Sequence, residues 1–456
     1  MYDLLVRNGT VVLPDGPTTM DIAAANGVFV AMGVDLPIAA AKTVDASGCY
    51  IFPGVVDAHV HFNDPGLPER EDMYTGTSSA AAGGTTTILD MPLSGDPTVT
   101  SLKTLEAKKR VASERAVVDY ALWSGLVTDN TCEMDAIADA GAVGFKAFTC
   151  FAGDDFPYAS NAVLFAGMSR AASFGAVIGV HCEDNSMIEH FEAEATGKGD
   201  RSVRAFLDSH APVTETTAVD TVLSLAASTG AHLHICHASL PETVEAVRRA
   251  RSRGVHVTVE TCPHYLIFDE EDLEKQRGFL KCTPPVRTRE TADALWRQVL
   301  DGSVDVVSSD HSPSTLAMKQ PKDGDFWNAW GGVNGAQTLL VSMYSEGVMK
   351  RGMAVEHLAR MLSSKPAEIF GVADRKGSIR IGADADLCIL DPNQCWTLSE
   401  EDLFYKNKHT PYLGMSFTGR VTATFVRGRE IYSDGKIDVP PGYGKFLAPT
   451  REGEVR

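Results

Sequence analysis

Long hydrophobic runs are missing from this 456-residue sequence. A transmembrane helix needs about 18 or more consecutive apolar residues, and no such run occurs. Residues 1–5 also lack the basic leader and apolar stretch that are typical of a secretory signal. The sequence therefore predicts no membrane partner and a cytoplasmic location.

Basic residues are fewer than acidic residues in this sequence. The sequence has 41 Lys and Arg against 60 Asp and Glu, which gives a formal net charge of -19. Proteins that bind nucleic acid or anionic membranes usually carry a basic patch that neutralises phosphates. The charge therefore argues against those partners and favours a small neutral or cationic molecule.

The nine cysteines include no Cys-x-x-Cys pair. An odd set without paired spacing does not suggest a disulfide framework. Four of them, Cys150, Cys182, Cys236 and Cys262, lie in or just after predicted strands. We interpret all nine as small buried apolar residues, with thiolate binding to a metal as the alternative for those four.

Strands and helices alternate between about residues 51 and 375. Apolar β-type runs are separated by segments with apolar residues three and four positions apart, such as 214–228, 241–251 and 291–300. Eight parallel strands joined by helices close most naturally into a (β/α)8 TIM barrel, an α/β fold with its chemistry at the C-terminal strand ends. The predicted strands are 51–61, 85–91, 116–122, 143–148, 176–181, 232–237, 256–261 and 304–310.

Both flanks of this region show short strands and turns instead. The pattern predicts one small β-sandwich assembled from both chain ends, with the barrel inserted between them. The expected boundaries are 1–52 and 378–440 for the sandwich, 53–377 for the barrel and 441–456 for a C-terminal tail. The Gly/Pro-rich start of that tail suggests an extended surface segment or a subunit contact.

Metal-binding residue types stand at the downstream ends of five predicted strands. His59 and His61 are one residue apart, so strand alternation points both imidazoles to one side. Each alone has an ordinary explanation: paired surface histidines are common, a lysine can reach solvent along its stem, and an aspartate can cap a helix. Their recurrence favours a shared site. The candidates are His59, His61, Lys146, His181, His237 and Asp310.

Six candidates exceed what one tetrahedral zinc with an open position needs, which is about three protein ligands. Two ions about 3.5–4 Å apart can activate a water and polarise a carbonyl together. Lys146 fits if its amine reacts with CO₂, because the carbamate is an anion with two oxygens. A neutral amine is required, and burial beside cations favours it. Asp310 could bind one ion and carry the proton of the attacking water to a leaving nitrogen.

Three other histidines are expected to be structural. His234 lies three residues before His237 and so faces away from it in a strand, and His256 begins its strand at the opposite end. His264 is also assigned a structural role. His311 could support the site indirectly.

Several motifs resemble the cyclic amidohydrolases, the group that includes allantoinase, hydantoinase, dihydropyrimidinase and dihydroorotase. The likeness covers nearly the whole chain, and among the group's members it is strongest to allantoinase. The matching segments are PGVVDAHVHFNDPG at 53–66, AGGTTT at 82–87, GFK at 144–146, ETCPHY at 260–265 and KCTPPVR at 281–287. Those that favour allantoinase are DMPLS at 90–94, SDHSP at 309–313, AWGG at 329–332 and KHTPY at 408–412.

The resemblance implies a barrel with a β-sandwich and two metal ions, zinc being expected and manganese, cobalt or iron the alternatives. It implies that Lys146 is N6-carboxylysine and bridges the ions, with the other five candidates as ligands. It also implies a homo-oligomer, a tetramer in similar enzymes. By the same resemblance, substrate binding falls to Thr283, which could instead be a turn residue, and to Ser312, Gly331, Gly332 and, for a substituent, Asn63.

Departures from the group's patterns narrow the range of expected substrates. Asn63 stands where dihydroorotase has an arginine for the substrate carboxylate, and Phe151 where D-hydantoinase and dihydropyrimidinase have a tyrosine. Residues 67–73 lack the tryptophan of the usual allantoinase run. The resemblance implies hydrolysis of a five-membered cyclic ureide, allantoin to allantoate.

Three alternative functions stay open from the sequence. The first is a hydantoinase of the L-hydantoinase type, or a dihydropyrimidinase, acting on 5-substituted hydantoins. The second is a non-catalytic dihydropyrimidinase-like scaffold, which the presence of all six candidate ligands disfavours. The third is a single-metal deaminase on the same barrel, in which Lys146 would have no role.

Overall fold

A computed structural model describes residues 2–451, which contain eighteen strands and fifteen α-helices. The strands are β1 (Tyr2–Leu13), β2 (Gly16–Ala25), β3 (Val28–Gly33), β4 (Ala40–Asp45), β5 (Tyr50–Pro53), β6 (Val55–Val60), β7 (Thr85–Asp90), β8 (Asp119–Leu122), β9 (Ser124–Gly125), β10 (Gly144–Phe148), β11 (Val177–His181), β12 (His232–Ile235), β13 (Val257–Thr261), β14 (Val306–Val307), β15 (Leu387–Thr397), β16 (Ser416–Val426), β17 (Arg429–Ser433) and β18 (Lys436–Ile437). The α-helices are α1 (Met73–Ala82), α2 (Leu102–Arg115), α3 (Met134–Asp139), α4 (Asn161–Ser173), α5 (Asn185–Gly197), α6 (Val203–Ser209), α7 (Pro212–Thr229), α8 (Pro241–Ser252), α9 (Pro263–Ile267), α10 (Glu270–Gln276), α11 (Arg289–Leu300), α12 (Leu316–Lys319), α13 (Leu339–Met343), α14 (Val355–Ala359) and α15 (Lys365–Ile369).

Strands β6 to β14 form the parallel barrel. β6, β7 and β8 pair in order, and β9 to β14 pair in order. β8 and β9 together occupy one barrel position, interrupted at Trp123, with β8 paired to β7 and β9 to β10. A parallel β-bridge between Val60, at the end of β6, and His311, which follows β14, closes the barrel between its first and last strands. The eight strand positions confirm the predicted TIM barrel.

The first predicted strand, 51–61, is two strands in the structure. β5 pairs with β1 and β15 in the terminal sheet, and β6 belongs to the barrel. Gly54 separates them at a point where any added Cβ would collide with Thr86, so the backbone passes close to the next strand. The eighth strand is also shorter than 304–310, because ladder pairing covers only Val306–Val307 and Asp310 adopts a positive φ of 43°.

A nine-stranded sheet draws its strands from both chain ends. Its order is β18-β17-β16-β15-β5-β1-β2-β3, with β4 paired to β1. The buried side chains of these strands form a separate hydrophobic cluster that includes Leu4, Ile22, Phe29, Leu387 and Phe425. This sheet is the predicted β-sandwich domain, whereas the residue boundaries proposed for the domains stay predictions.

A buried ion cluster and the C-terminal tail join these parts. Lys376 is fully buried, and its Nζ contacts carboxylates of Asp119 in β8 at 2.5 Å, Asp386 at 2.7 Å and Asp384 at 2.8 Å. Tyr120 exchanges two backbone hydrogen bonds with residues 445 and 447. The described part of the tail therefore lies along the barrel of its own chain. Residues 452–456 of the tail lie outside the described residues.

Between residues 2 and 451, no helix combines the length and the hydropathy that crossing a bilayer would require.

Candidate active site

The six predicted ligands lie together at the C-terminal end of the barrel. His59 is in β6, Lys146 in β10 and His181 at the end of β11, while His61, His237 and Asp310 lie one, two and three residues after the ends of β6, β12 and β14. All six line one cavity of about 790 Å³. Parallel strands deliver their C-terminal residues to the same face of a barrel, which explains how side chains 251 positions apart in sequence (59 to 310) reach one site.

The ligand atoms fall into two connected groups. Asp310 Oδ1 lies 3.3 Å from His59 Nε2 and 3.3 Å from His61 Nε2. His237 Nε2 lies 3.2 Å from His181 Nδ1 and 3.5 Å from Lys146 Nζ. His59, His237 and Asp310 offer ligand atoms within 4.8 Å of one another, which links the two groups.

The chemistry of these donors fits divalent cations. His59 Nε2 is buried and has no hydrogen-bond partner among the described residues, although Asp310 lies beside it. Burial lowers the pKa of His59 and lowers that of His237 well below its usual value. Neutral imidazole is the form that binds metal. The groups around Asp310 and His237 could each contribute to holding one ion.

Lys146 is an unusual neighbour for these histidines. It is fully buried, and its Nζ lies 5.0 Å from the centre of the Phe148 ring. Within residues 2–451, no carboxylate lies close enough to form an ion pair with it. A buried ammonium without a counter-ion is costly, so this environment is unusual for a lysine.

Two of the ligands stand on strained backbone. His237 has φ of 36° and Asp310 has φ of 43°, a left-handed conformation that non-glycine residues rarely adopt. Such positions cost on the order of 1–3 kcal/mol and concentrate at functional sites. The backbone N–H of His237 donates to Glu260 at 3.1 Å, and that of His311 to the Ser309 hydroxyl at 3.1 Å. These bonds hold the strained turns in place.

Glu260 is a supporting residue that the sequence reasoning missed. It is buried in β13, where it accepts hydrogen bonds from His59 Nδ1 and, at 2.8 Å, from the Ser308 hydroxyl. Burial raises the pKa of Glu260, but His59 and His234 outweigh burial and hold it well below its usual value. In the sequence it is the acidic residue of the strand VTVET at 257–261, and it begins the segment ETCPHY.

Glu183 supports His181 in the same way and was also missed. Its carboxylate accepts from His181 Nε2 at 2.8 Å and from His210 Nδ1 at 2.7 Å. Burial opposes ionisation of Glu183, yet His210 and His181 lower its pKa below the usual range. Because Nε2 of His181 is engaged, Nδ1 is the nitrogen left to face His237 and a metal.

Asp310 is placed to act as an ionised carboxylate. Burial raises its pKa, but the histidines at 59, 61 and 237 outweigh burial and hold the pKa of that carboxyl well below its usual range. A carboxylate facing the cavity can bind a cation and also accept a proton from water.

The histidines expected to be structural lie outside the cavity lining. His234 Nδ1 contacts Thr258 at 2.8 Å and its Nε2 lies 3.3 Å from Glu260. His256 stacks on His232 with ring centres 3.8 Å apart. His264 is fully buried against Tyr265. His311 accepts the N–H of Gly335 at Nδ1, and its carbonyl accepts the N–H of His61 at 2.8 Å.

Four of the five predicted substrate-binding residues line the cavity, namely Thr283, Ser312, Gly331 and Gly332. Asn63 is fully buried and absent from the lining of the cavity. Its side-chain amide donates to the carbonyl of Ser94 at 2.5 Å, and Ser94 does line the cavity. The structure therefore brings Asn63 next to the wall rather than into it.

Two buried lysines hold the segment that carries Gly331 and Gly332. Lys281 Nζ donates to the carbonyls of residues 326, 327 and 329 at 2.7–3.2 Å. Lys319 Nζ donates to the carbonyls of Trp330 and Gly332. Gly332 has φ of 153°, and an added Cβ would lie 2.5 Å from the carbonyl oxygen of Ser312. The position of this wall is therefore fixed by lysine side chains that donate to its backbone carbonyls.

The interpretation of all nine cysteines as buried is wrong for Cys132 and Cys395, which are exposed, and for Cys49, which is half-buried. The cysteines near the strand ends behave as apolar residues. Burial raises the pKa of Cys182 and of Cys262 well above the usual value, and that of Cys236 to about 12. Protonated thiols are poor metal ligands. Of the four cysteines considered, only Cys150 lines the cavity.

Similarity to known proteins identifies the family of this chain. A family model described as the amidohydrolase family matches residues 50–431. The chain belongs to the amidohydrolase family. An allantoinase of Rubrobacter xylanophilus is 42% identical over 452 residues, which cover 99% of this chain and 98% of that protein. An allantoinase of Deinococcus radiodurans is 39% identical, with 98% and 99% covered.

Among solved structures, an L-hydantoinase from Arthrobacter aurescens superposes with a TM-score of 0.96 at 35% identity, covering 98% of this chain and all of that one. These findings confirm the predicted family, its resemblance to allantoinase and the prediction of a metal-dependent cyclic amidohydrolase. They support the allantoinase reading better than the alternative functions.

Proposed function

We propose that this amidohydrolase opens the five-membered ring of allantoin to give allantoate, a step of purine metabolism. The observation that carries the proposal is the 42% identity to an allantoinase over 99% of the chain. The ligand cluster at the barrel end supports it, because all the predicted donors line a single cavity.

The donor set is proposed to hold two divalent ions, with zinc as the expected metal. His59, His61 and Asp310 would hold one, and His181 and His237 the other. When bound, such ions polarise a carbonyl and acidify water. Lys146 would lie between them as N6-carboxylysine, formed when its neutral amine attacks CO₂ and releases one proton. Its burial without a carboxylate partner among residues 2–451 supports this modification.

Asp310 is proposed to move the proton. Its carboxylate takes a proton from the attacking water and returns it to the ring nitrogen that leaves, so that no charged amide nitrogen has to form. The side chain is 13% exposed, compared with 1% for His59. This gives Asp310 access to the cavity while the histidines stay screened from bulk water.

Four other residues of the cavity lining are proposed to bind the ring. The hydroxyls of Thr283 and Ser312 and the backbone of Gly331 and Gly332 offer donors and acceptors for the N–H and C=O groups of a ureide. Asn63 would act through Ser94, whose carbonyl it holds. We also propose a cytoplasmic homotetramer, which light scattering of the purified protein would test.

A second candidate, hydrolysis of 5-substituted hydantoins, is favoured by one observation. Apolar side chains line part of the cavity, and Phe151 among them is 63% exposed. Such a surface could accept a hydrocarbon substituent. The L-hydantoinase likeness supports the same reading.

A substrate panel tests the proposal. Metal-loaded protein would be assayed with allantoin, with 5-methyl- and 5-benzylhydantoin of both hands, with dihydrouracil and with dihydroorotate. We expect the highest kcat/KM for allantoin. A substituted hydantoin cleaved far faster than allantoin would replace the main proposal with the second candidate.

A further inference from the structure

Arg70 is a buried cation in the wall of the cavity. Its residue exposure is 5%, and its guanidinium lies 3.9 Å from the ring centre of Trp330. Nε and Nη2 donate to the carbonyl of Pro313 at 3.4 and 3.3 Å. Throughout residues 2–451, no carboxylate comes within ion-pair distance of it.

These contacts leave the guanidinium short of acceptors. It carries five N–H donors, and the observed bonds are two long ones to one neutral oxygen. Burying a charge without a partner is costly unless something else compensates, and stacking on an indole does so only in part. Burial lowers the pKa of Arg70 to about 10, so the group stays charged at neutral pH. The indole Nε1 of Trp330 is also buried and has no acceptor within the described part of the chain.

The position of Arg70 is held firmly by its backbone. Its N–H donates to the carbonyl of Leu67 at 3.0 Å, and Asn407 Nδ2 donates to its carbonyl at 2.6 Å. Pro313 follows Ser312, and Trp330 precedes Gly331. The guanidinium therefore lies beside the residues proposed to bind the ring.

We infer that Arg70 determines specificity by binding an oxygen acceptor, a urea carbonyl or a carboxylate, on the ring substituent of the substrate. The inference rests on the proposed cyclic-amide hydrolysis in this cavity, but it does not require allantoin itself. A planar guanidinium gives two parallel N–H donors to such a group. Alkyl and aryl substituents offer no acceptor, so they gain nothing from Arg70.

The test compares wild type with Arg70→Met, which keeps a long side chain over Trp330 without the donors. The substrates are allantoin, hydantoin-5-acetate, unsubstituted hydantoin and 5-methylhydantoin. We expect kcat/KM for the two acceptor-bearing substrates to fall about 10- to 100-fold, mainly through KM. For the other two we expect a change below about 3-fold. Titration calorimetry of the same four ligands gives a readout independent of turnover.

Two further variants separate binding from folding. Arg70→Ala should regain part of its lost activity on acceptor-bearing substrates when guanidinium is added. Arg420→Met removes another arginine stacked on a tryptophan, Trp396 at 4.7 Å, outside the cavity, and should leave all four activities unchanged.

The outcomes distinguish this inference from the proposed function. Equal losses on all four substrates, or no loss on any, would overturn the role of Arg70 while leaving allantoin hydrolysis intact. If wild type prefers hydantoin-5-acetate and Arg70→Met abolishes that preference, the proposal of allantoin as substrate is refuted and the role of Arg70 is supported. If no substrate turns over, an affinity loss confined to the acceptor-bearing ligands still supports Arg70, and its absence refutes it.

Discussion

Glu260 in β13 accepts a hydrogen bond from Nδ1 of His59 in β6, although 201 residues separate them in sequence. The bond fixes which imidazole nitrogen carries the proton, so that Nε2 faces Asp310 as a lone-pair donor. The same carboxylate also accepts the N–H of His237. One buried anion thus orients ligands from both halves of the candidate site.

Replacing Glu260 with Gln should weaken metal binding while preserving shape. The amide can offer its own N–H toward His59 and carries no charge to stabilise the bound cation. Affinity for divalent metal should fall about 10- to 100-fold. Competition with a chromogenic chelator would measure it. Glu245→Gln, in an exposed pair with Arg248 on α8, is the matched control, and equal affinities of the two variants would contradict the role given to Glu260.

Lys146→Ala should remove most of the activity because the proposed carbamate disappears with the amine. A loss of several kcal/mol of transition-state stabilisation corresponds to about a 10³-fold drop in kcat. Added short carboxylates such as acetate or propionate should restore part of the rate. NMR of protein equilibrated with ¹³C-labelled CO₂ should show a carbamate signal in wild type and none in the variant.

Lys108 provides the control for that experiment. It is also buried, but it has a carboxylate partner, Asp90 at 2.7 Å, so it should not react with CO₂. Lys108→Ala should therefore keep the carbamate signal. Full activity of Lys146→Ala would instead favour the single-metal reading, in which this lysine has no role.

The sequence could predict those parts of the site that lie at the end of a single strand. A strand end is visible as an apolar run followed by a polar residue, and parallel strands in a barrel bring such ends together. His59, Lys146 and Asp310 could therefore be assigned to one face from order alone. The exact strand limits could not be predicted, because the segments on either side of Gly54 pair in different sheets, β5 in the terminal sheet and β6 in the barrel.

Supporting contacts were harder to predict because they connect distant segments. Glu183 contacts His210 from a loop 27 residues away, and nothing local in either segment indicates the pairing. The family resemblance predicts that Asn63 binds a substituent of the substrate. In the structure Ser94, whose carbonyl accepts a hydrogen bond from the Asn63 side chain, lines the cavity instead. This arrangement depends on how two loops fold together.

Gly332→Ala should destabilise the cavity wall. The added Cβ would lie 2.5 Å from the carbonyl oxygen of Ser312, and φ of 153° disfavours any L side chain. Overpacking of this kind costs about 1–3 kcal/mol, and urea unfolding followed by tryptophan fluorescence would measure it. Gly331→Ala is the control, because nothing lies within 4 Å of its added Cβ. A free energy of unfolding equally unchanged in both variants would refute the steric account.

Lys319 gives a pH-dependent prediction. Burial lowers its pKa from 10.5 to about 7, and a neutral amine has two N–H donors for the carbonyls of Trp330 and Gly332. Between pH 7 and 10.5 the unfolded chain binds a proton here that the folded chain does not. The free energy of unfolding should therefore rise with pH across this window, by up to about 1.4 kcal/mol per pH unit.

Lys319→Met removes this contribution, so its stability should rise less between pH 7.5 and 9 than that of wild type, by a difference of about 2 kcal/mol. Urea unfolding at several pH values would measure the difference. Lys275→Met, at a side chain 68% exposed, should follow the wild-type pH profile. If Lys319→Met also follows it, the buried amine is charged in the folded state, and the carbonyls of Trp330 and Gly332 bind an ammonium rather than a neutral group.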